Sequence, residues 1–301
     1  MQKKRVLLIG GAGTLGSDIL DANLSTYELF VIDNFSESAL AEEELQGKVS
    51  YKNMSVTDEN ELRKIFQEFG PEVVIYLATT LSKDPVRGYE SNVFGMANTI
   101  KAAEQLGKPY LIYIQSFLTR NCESLVKETS QVEANDSYAT WKLAAEYLLG
   151  AYSGKSTTFI LANVLSPRLS IGAIPTFVRK IQKHEQVKVT NTWRDYIDPD
   201  SFITALKSLM EDERNRSLEI LGSSIAVNTV DILEFTALAM GSNLHSIKYE
   251  IVPQKFGDPT RVELDNSFSE VTHLKNNYLQ QCISQIVQKN LATEKQSRLH
   301  H

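Results

Sequence analysis

Apolar and polar positions along this chain follow two alternating rhythms. Short runs rich in apolar, β-branched and aromatic residues, RVLLIG (5–10), ELFVID (28–33), KVSYKN (48–53), EVVIYLA (72–78), PYLIYIQS (109–116) and TTFILANV (157–164), have the length of strands. Between them, ENELRKIFQEF (59–69) and NVFGMANTIKAAEQLG (92–107) repeat their apolar residues every three to four positions, which is the helical period. A run such as VVIYLA has no polar face, so as a strand it must be covered on both sides. The alternation predicts an α/β fold, a doubly wound parallel sheet with helices on both faces. Beyond about Ser166 the rhythm loosens and Pro167, Pro175, Pro199, Pro253 and Pro259 punctuate it, which predicts a smaller C-terminal lobe. The expected division is 1–165 for the sheet domain and 166–290 mainly for the lobe, with part of the chain returning to the first domain. Residues 291–301 form a polar tail, because from about Lys289 the stretch KNLATEKQSRLHH shows no apolar pattern and reads as a frayed end.

Bulk properties narrow the function classes. With 301 residues, 42% of them apolar, the chain can bury a large core. A net charge of -6 argues against nucleic acid as a partner, since a phosphate backbone is gripped by an excess of Lys and Arg. Cys122 and Cys282 lie far apart without metal-ligand spacing, so neither a disulfide framework nor a metal site is expected. No apolar run approaches membrane-spanning length, and VLLIG is too short for a signal-peptide core, so a cytoplasmic protein without membrane partners is expected.

Candidate chemistry begins at GGAGTLG, directly after the first strand. Counted from Gly11 it is G-x-G-x-x-G (Gly11, Gly13, Gly16); counted from Gly10 it is G-x-x-G-x-x-G (Gly10, Gly13, Gly16). Either way, glycines let a backbone turn tightly toward a pyrophosphate whose charge sits on the following helix N-terminus. Asp33 ends the second strand, at the spacing where an acidic side chain accepts hydrogen bonds from ribose hydroxyls and favours NAD over NADP. In SYATWKLAAEYL, Tyr138 and Lys142 are four residues apart on one helix face, where an ammonium lowers a phenol's pKa and equips it as a general base. Ser116 closes a buried strand at the carboxyl edge of the sheet, where such sheets bind ligands.

Taken in order, GGAGTLG, Asp33, Asn92-Val-Phe-Gly95, Ser116 and Tyr138-x-x-x-Lys142 resemble the extended short-chain dehydrogenase/reductases, and within them the NAD-dependent epimerase/dehydratase family. The resemblance settles the glycine register as Gly10, Gly13 and Gly16 and implies a Rossmann-type sheet with a substrate-binding lobe. It implies NAD as cofactor, held by Gly10, Gly13, Thr14, Leu15, Gly16, Asp33, Asn34, Ser55, Val56, Leu77, Ala78 and Thr79, with Tyr138 and Lys142 at its reactive end. Ser116, Tyr138 and Lys142 are the implied catalytic residues. Ser116, Asn163, Arg194 and Lys255 are the implied contacts to a nucleotide-sugar substrate, as in polysaccharide biosynthesis. A homodimer paired through the helices at Val93–Leu106 and Tyr138–Leu149 is implied as well.

The chain departs from the family pattern in informative places. Ser55 stands where members carry an Asp against the adenine, Gln115 precedes Ser116 in place of a serine, and Arg120-Asn121 replaces a Tyr-Gly. Dehydratases of the family have an acidic pair just after the catalytic hydroxyl, whereas here Phe117 and Leu118 follow Ser116, and neither can move a proton. The expected activity is therefore 4-epimerisation through a transient ketose. The alternatives are a ketosugar reductase using NAD(P)H and a catalytically silent NAD-binding sensor or scaffold.

Overall fold

The computed structural model describes residues 3–299 apart from Asn23, Lys83, Arg216, Phe256 and 272–277. Six strands appear where the sequence places them: β1 (Lys4–Ile9), β2 (Tyr27–Asp33), β3 (Ser50–Asn53), β4 (Val73–Tyr76), β5 (Tyr110–Ser116) and β6 (Ser156–Leu161). A short β7 (Asn163–Val164) leads into the lobe, which holds β8 (Val187–Thr190) and β9 (Trp193–Ile197). The chain then returns through β10 (Ser217–Leu221) to complete a seven-stranded, all-parallel sheet of order β10-β6-β5-β4-β1-β2-β3. This is the Rossmann-type doubly wound sheet that the alternation predicts.

Successive residues of β1 show why such strands are apolar throughout. Val6 and Leu8 join the core on one face, and Leu7 and Ile9 the core on the other. On the second face pack α2 (Glu59–Phe69), α4 (Gly95–Gln105) and α5 (Ser137–Leu149); on the first pack α1 (Thr14–Asp21) and α7 (Pro199–Asp212). The short α3 (Pro85–Gly88) runs through a wide π-turn, Tyr89–Phe94, into α4. Gly88 is required there, because a Cβ would collide with the indole of Trp141 on α5.

The lobe has a core of its own, with Phe177 and Val178 of α6 (Ala173–Gln182), Ile232 and Leu233 of α8 (Thr229–Ala239), and Ile283, Ile286 and Val287 of α9 (Tyr278–Leu299). Around it lie the strand order β11-β9-β7 and the pair β12-β8, in which β11 is Ala226–Asn228 and β12 is Tyr249–Val252. The expected frayed end from Lys289 is instead helical to Leu299. Ala, Glu, Lys, Gln and Arg are good helix formers with no Gly or Pro among them, and α9 is already anchored by its buried Ile283–Val287 turn when it reaches them. No helix of the described residues is long and apolar enough to cross a membrane. Both cysteines are free, and no cluster that could hold a metal occurs among the described residues.

Candidate active site

Ligands of open parallel sheets sit at the carboxyl edge where the strand order reverses, here between β1 and β4. Gly10 turns the chain there at φ +81°, and a Cβ on it would lie 2.6 Å from the Ala78 amide nitrogen. Gly16 packs against the Gly11 carbonyl, which a Cβ would strike. Gly11 itself faces the core, against Leu8 and Val31, so it is Gly10, Gly13 and Gly16 that border the cleft. At Gly13 the nearest protein atom to an added Cβ is 3.4 Å away, so packing alone does not demand glycine. Gly13 caps α1 without any side-chain bond, leaving the helix N-terminus open to an anion.

The resulting cleft, about 370 Å³, is bordered by every residue expected to hold the cofactor other than Tyr138 and Lys142: Gly10, Gly13, Thr14, Leu15, Gly16, Asp33, Asn34, Ser55, Val56, Leu77, Ala78 and Thr79. Asp33 fastens the glycine loop by accepting from the Ala12 amide (2.9 Å) and the Phe35 amide (2.8 Å). Burial raises its pKa, and those backbone bonds oppose the rise. The Ser55 hydroxyl is shared with Thr57 at 2.7 Å.

A second cavity of about 340 Å³ shares Thr14, Leu15, Leu77, Thr79 and Ile171 with the first, so the two are neighbours. Around it stand Ser116 from the end of β5, Tyr138 and Lys142 from the start of α5, and Asn163 from β7. Asp136 caps α5 by accepting from the Ala139 amide (2.7 Å), which places Tyr138 and Lys142 in its first two turns. Ser116 Oγ accepts weakly from the Leu118 amide (3.2 Å), and its proton stays free for a ligand oxygen.

The predicted pairing of Lys142 with Tyr138 takes a different form. Lys142, 3% exposed, donates from Nζ to the Ile114 carbonyl at 2.6 Å and lies 4.5 Å from the centre of the Tyr113 ring. Burial alone lowers its pKa to about 7. Tyr138 is pushed up to about 12, first by burial and then by Asp136, with a hydrogen bond to Thr79 opposing. Helical spacing puts both groups on one face, but the ammonium turns to the nearest buried acceptor. Without cofactor, Tyr138 is therefore a protonated phenol.

Residues 6–220 match the NAD-dependent epimerase/dehydratase family. The chain belongs to this family. Its cofactor is NAD, and the open Gly13, the uncapped α1 and Asp33 fit it. Among solved structures, the Bordetella bronchiseptica enzyme WbmG in complex with NAD and UDP is 27% identical, with a TM-score of 0.83 over 98% of this chain and 96% of that one. The fold is also that of Thermus thermophilus UDP-glucose 4-epimerase in complex with NAD, at 23% identity and TM-score 0.84 over 95% and 99% of the two chains. A UDP-N-acetyl-alpha-D-glucosaminuronate decarboxylase of Bacillus cytotoxicus is 25% identical over 91% of each chain. Relatives thus include UDP-glucose 4-epimerases, a UDP-sugar decarboxylase and dTDP-D-glucose 4,6-dehydratases, alongside a sterol-4-alpha-carboxylate 3-dehydrogenase of Schizosaccharomyces pombe that matches over 36% of this chain.

Two residues expected at this family's substrate site lie outside both cavities. Arg194 is held by the Asp258 carboxylate (2.8 Å) and the Pro259 carbonyl (2.9 Å), and Lys255 is exposed. Asn163 borders the second cavity and donates to the Asp195 carbonyl at 3.0 Å. Other features of the site escape the sequence reading. Glu37 borders the cofactor cleft and accepts from Thr80 at 2.6 Å, and the role of Asn92, which the family pattern includes without assigning it a partner, is to accept from Thr79 at 3.0 Å while buried. Both are single polar residues in loops or helices, whose neighbours across the fold leave no mark on local spacing.

Proposed function

We propose that the chain is an NAD-dependent nucleotide-sugar 4-epimerase. The observation that carries this reading is the composition of the second cavity. Tyr138 and Lys142 are its only ionisable groups among the described residues, and no carboxylate borders it. Tyr138 takes the proton of the sugar hydroxyl and later returns it, while Ser116 donates to the same oxygen. When bound, NAD supplies the hydride acceptor and donor, and its positive ring lowers the pKa of a phenol beside it. Asn163 is assigned to the substrate from the cavity wall, whereas Arg194 and Lys255 lie outside it, and Arg194 serves the nucleotide diphosphate only by exchanging Asp258 for phosphate oxygens, a pairing suited to its planar fork.

The competing reactions lack their groups. Elimination of water needs an acid and a base, but Phe117 is buried and Leu118 packs against the core. A uronate carboxylate, the handle for decarboxylation, would meet a single cation that burial already drives toward neutrality. The substrate sugar is accordingly a neutral one. Exposed Tyr89, Phe94 and Tyr147 on the π-turn and α5 support a homodimer, for which light scattering gives the mass.

Incubation of UDP-, dTDP- and GDP-hexoses with enzyme and NAD should give, for the right substrate, a product of unchanged mass with one inverted carbon. Tyr138→Phe should bind NAD as before yet lose turnover by about a hundredfold or more, because only the phenolic oxygen is removed. Loss of water or of carbon dioxide, or stoichiometric consumption of NADH, would overturn the reading.

A further inference from the structure

Gln115 and Arg120, two of the departures from the family pattern, are 2% and 4% exposed, and both are held by several hydrogen bonds. Gln115 Oε1 accepts from the Ser116 amide (2.9 Å), while its Nε2 donates to the Lys142 carbonyl (3.1 Å) and to Glu146 Oε2 (2.8 Å). Arg120 binds the same carboxylate with both terminal nitrogens, at 2.5 and 3.2 Å, and donates to the Thr119 carbonyl and hydroxyl at 3.0 Å each. The Thr119 hydroxyl donates in turn to the Ser116 carbonyl at 2.8 Å. These bonds close a ring that holds Ser116 by its main chain on both sides and ties it to α5. Tyr113 adds a second donor to the Lys142 carbonyl at 2.9 Å.

The geometry points to Gln115 as a positioning residue that, with the Arg120–Glu146 pair, sets the Ser116 loop and the Lys142 turn of α5 in one register. The inference rests on the epimerase reading for what that register accomplishes: the Ser116 hydroxyl and the Tyr138 phenol must meet one substrate oxygen. A buried ion pair adds little net stability once desolvation is counted. What the ring supplies is a single satisfied arrangement. Each Gln115 hydrogen has one acceptor and its carbonyl one donor, and a shift of about 1 Å at a reacting centre costs on the order of a hundredfold in rate. Arg120 and Gln115 thus suit each other through Glu146.

Two variants test this. Gln115→Leu keeps the volume and removes every bond. Its Ser116 amide should lose about tenfold or more of its protection from hydrogen exchange in NAD-free protein, and kcat should fall about ten- to a hundredfold, with KM and NAD affinity within about threefold. Gln115→Glu keeps the acceptor for the Ser116 amide but sets a second carboxylate against Glu146, in a site that also faces Arg120, Lys142 and the phenols of Tyr113 and Tyr138. It should work at acidic pH, where one carboxyl keeps a proton to donate, and lose activity as pH rises, unlike the wild type. If Gln115→Leu fails to fold, Arg120→Lys, which loses the two-nitrogen grip, should expose the same amide. Unchanged Ser116 exchange overturns the inference whether or not a substrate is known. Changed exchange in a protein that turns over no nucleotide sugar sinks the epimerase reading and leaves the ring standing. A kcat within about twofold of wild type in Gln115→Leu, or a Gln115→Glu profile parallel to wild type, also overturns the positioning role.

Discussion

Lys142→Met should make the NAD-free protein more stable, and by an amount that depends on pH. Burial moves the Lys142 pKa from 10.5 to about 7, and at about 1.4 kcal/mol for each pH unit this corresponds to a cost of roughly 5 kcal/mol for keeping the charged form folded. The sign follows from proton counts. Between about pH 7 and 10.5 the unfolded chain holds the lysine proton and the folded one does not, so stability rises with pH across that window and the cost is full below it. Methionine fills nearly the same space without a charge. Against the gain stand the hydrogen bond to the Ile114 carbonyl and the contact with the Tyr113 ring, about 1 kcal/mol each. The net gain is about 3 kcal/mol below pH 7, or about 6 °C in Tm for a chain this long. Differential scanning calorimetry at about pH 6 and about pH 9.5 reads both the size and its decline. A variant melting at or below the wild type at the lower pH, or a difference that does not change with pH, would refute the claim that Lys142 is held at a cost in stability.

Two further outcomes follow from the carboxylates of Asp33 and Asp18. Asp33 borders the cofactor cleft with its oxygens fastened to the loop, so a phosphate added to the adenosine ribose would meet a fixed negative charge. Calorimetry on NAD-free protein should find NAD bound at least about tenfold tighter than NADP, and equal affinities would remove the role given to Asp33. Asp18 on α1 accepts from Ser166 at 2.7 Å, while its other oxygen has no partner, and burial raises its pKa to about 7 against the opposing Ser166 bond. The folded protein therefore holds the Asp18 proton between about pH 4 and 7 while the unfolded chain has released it, so stability falls as pH rises through that window. Asp21, Asp200 and Arg168 act on the same carboxyl, and Asp18→Asn should gain on the wild type by up to about 4 kcal/mol across it. A difference between the two proteins that is constant with pH would show that Asp18 does not titrate there.

Much of the fold is legible because its cause is local. Strands apolar at every position can exist only between two layers, and the glycine loop requires a turn and a close approach that side chains obstruct, so both announce themselves in short windows of sequence. The helix at Tyr138–Leu149 is likewise marked by its own period, while its cap, Asp136, emerges only in the structure. The part of α9 beyond Lys289 is not legible in the sequence, because a polar helix carries no apolar stripe and its continuation depends on a turn anchored one segment earlier.

By itself, the sequence determined that a parallel sheet would form, that a glycine-rich turn and an acid would edge its carboxyl end, and that a hydroxyl, a phenol and an amine would be available. These follow from periodicity, turn chemistry and residue type, all of which act over a few residues. Only the tertiary structure decided where each charge points and what it meets. Lys142 faces the Ile114 carbonyl instead of Tyr138, Arg194 is spent on Asp258, and Gln115, Arg120 and Glu146, separated by up to 31 positions along the chain, close into one ring. The reason is physical. A buried polar group must find its partner among whatever atoms the fold brings within about 3 Å, and that set is a property of the packed molecule, with no trace in the spacing of its neighbours along the chain.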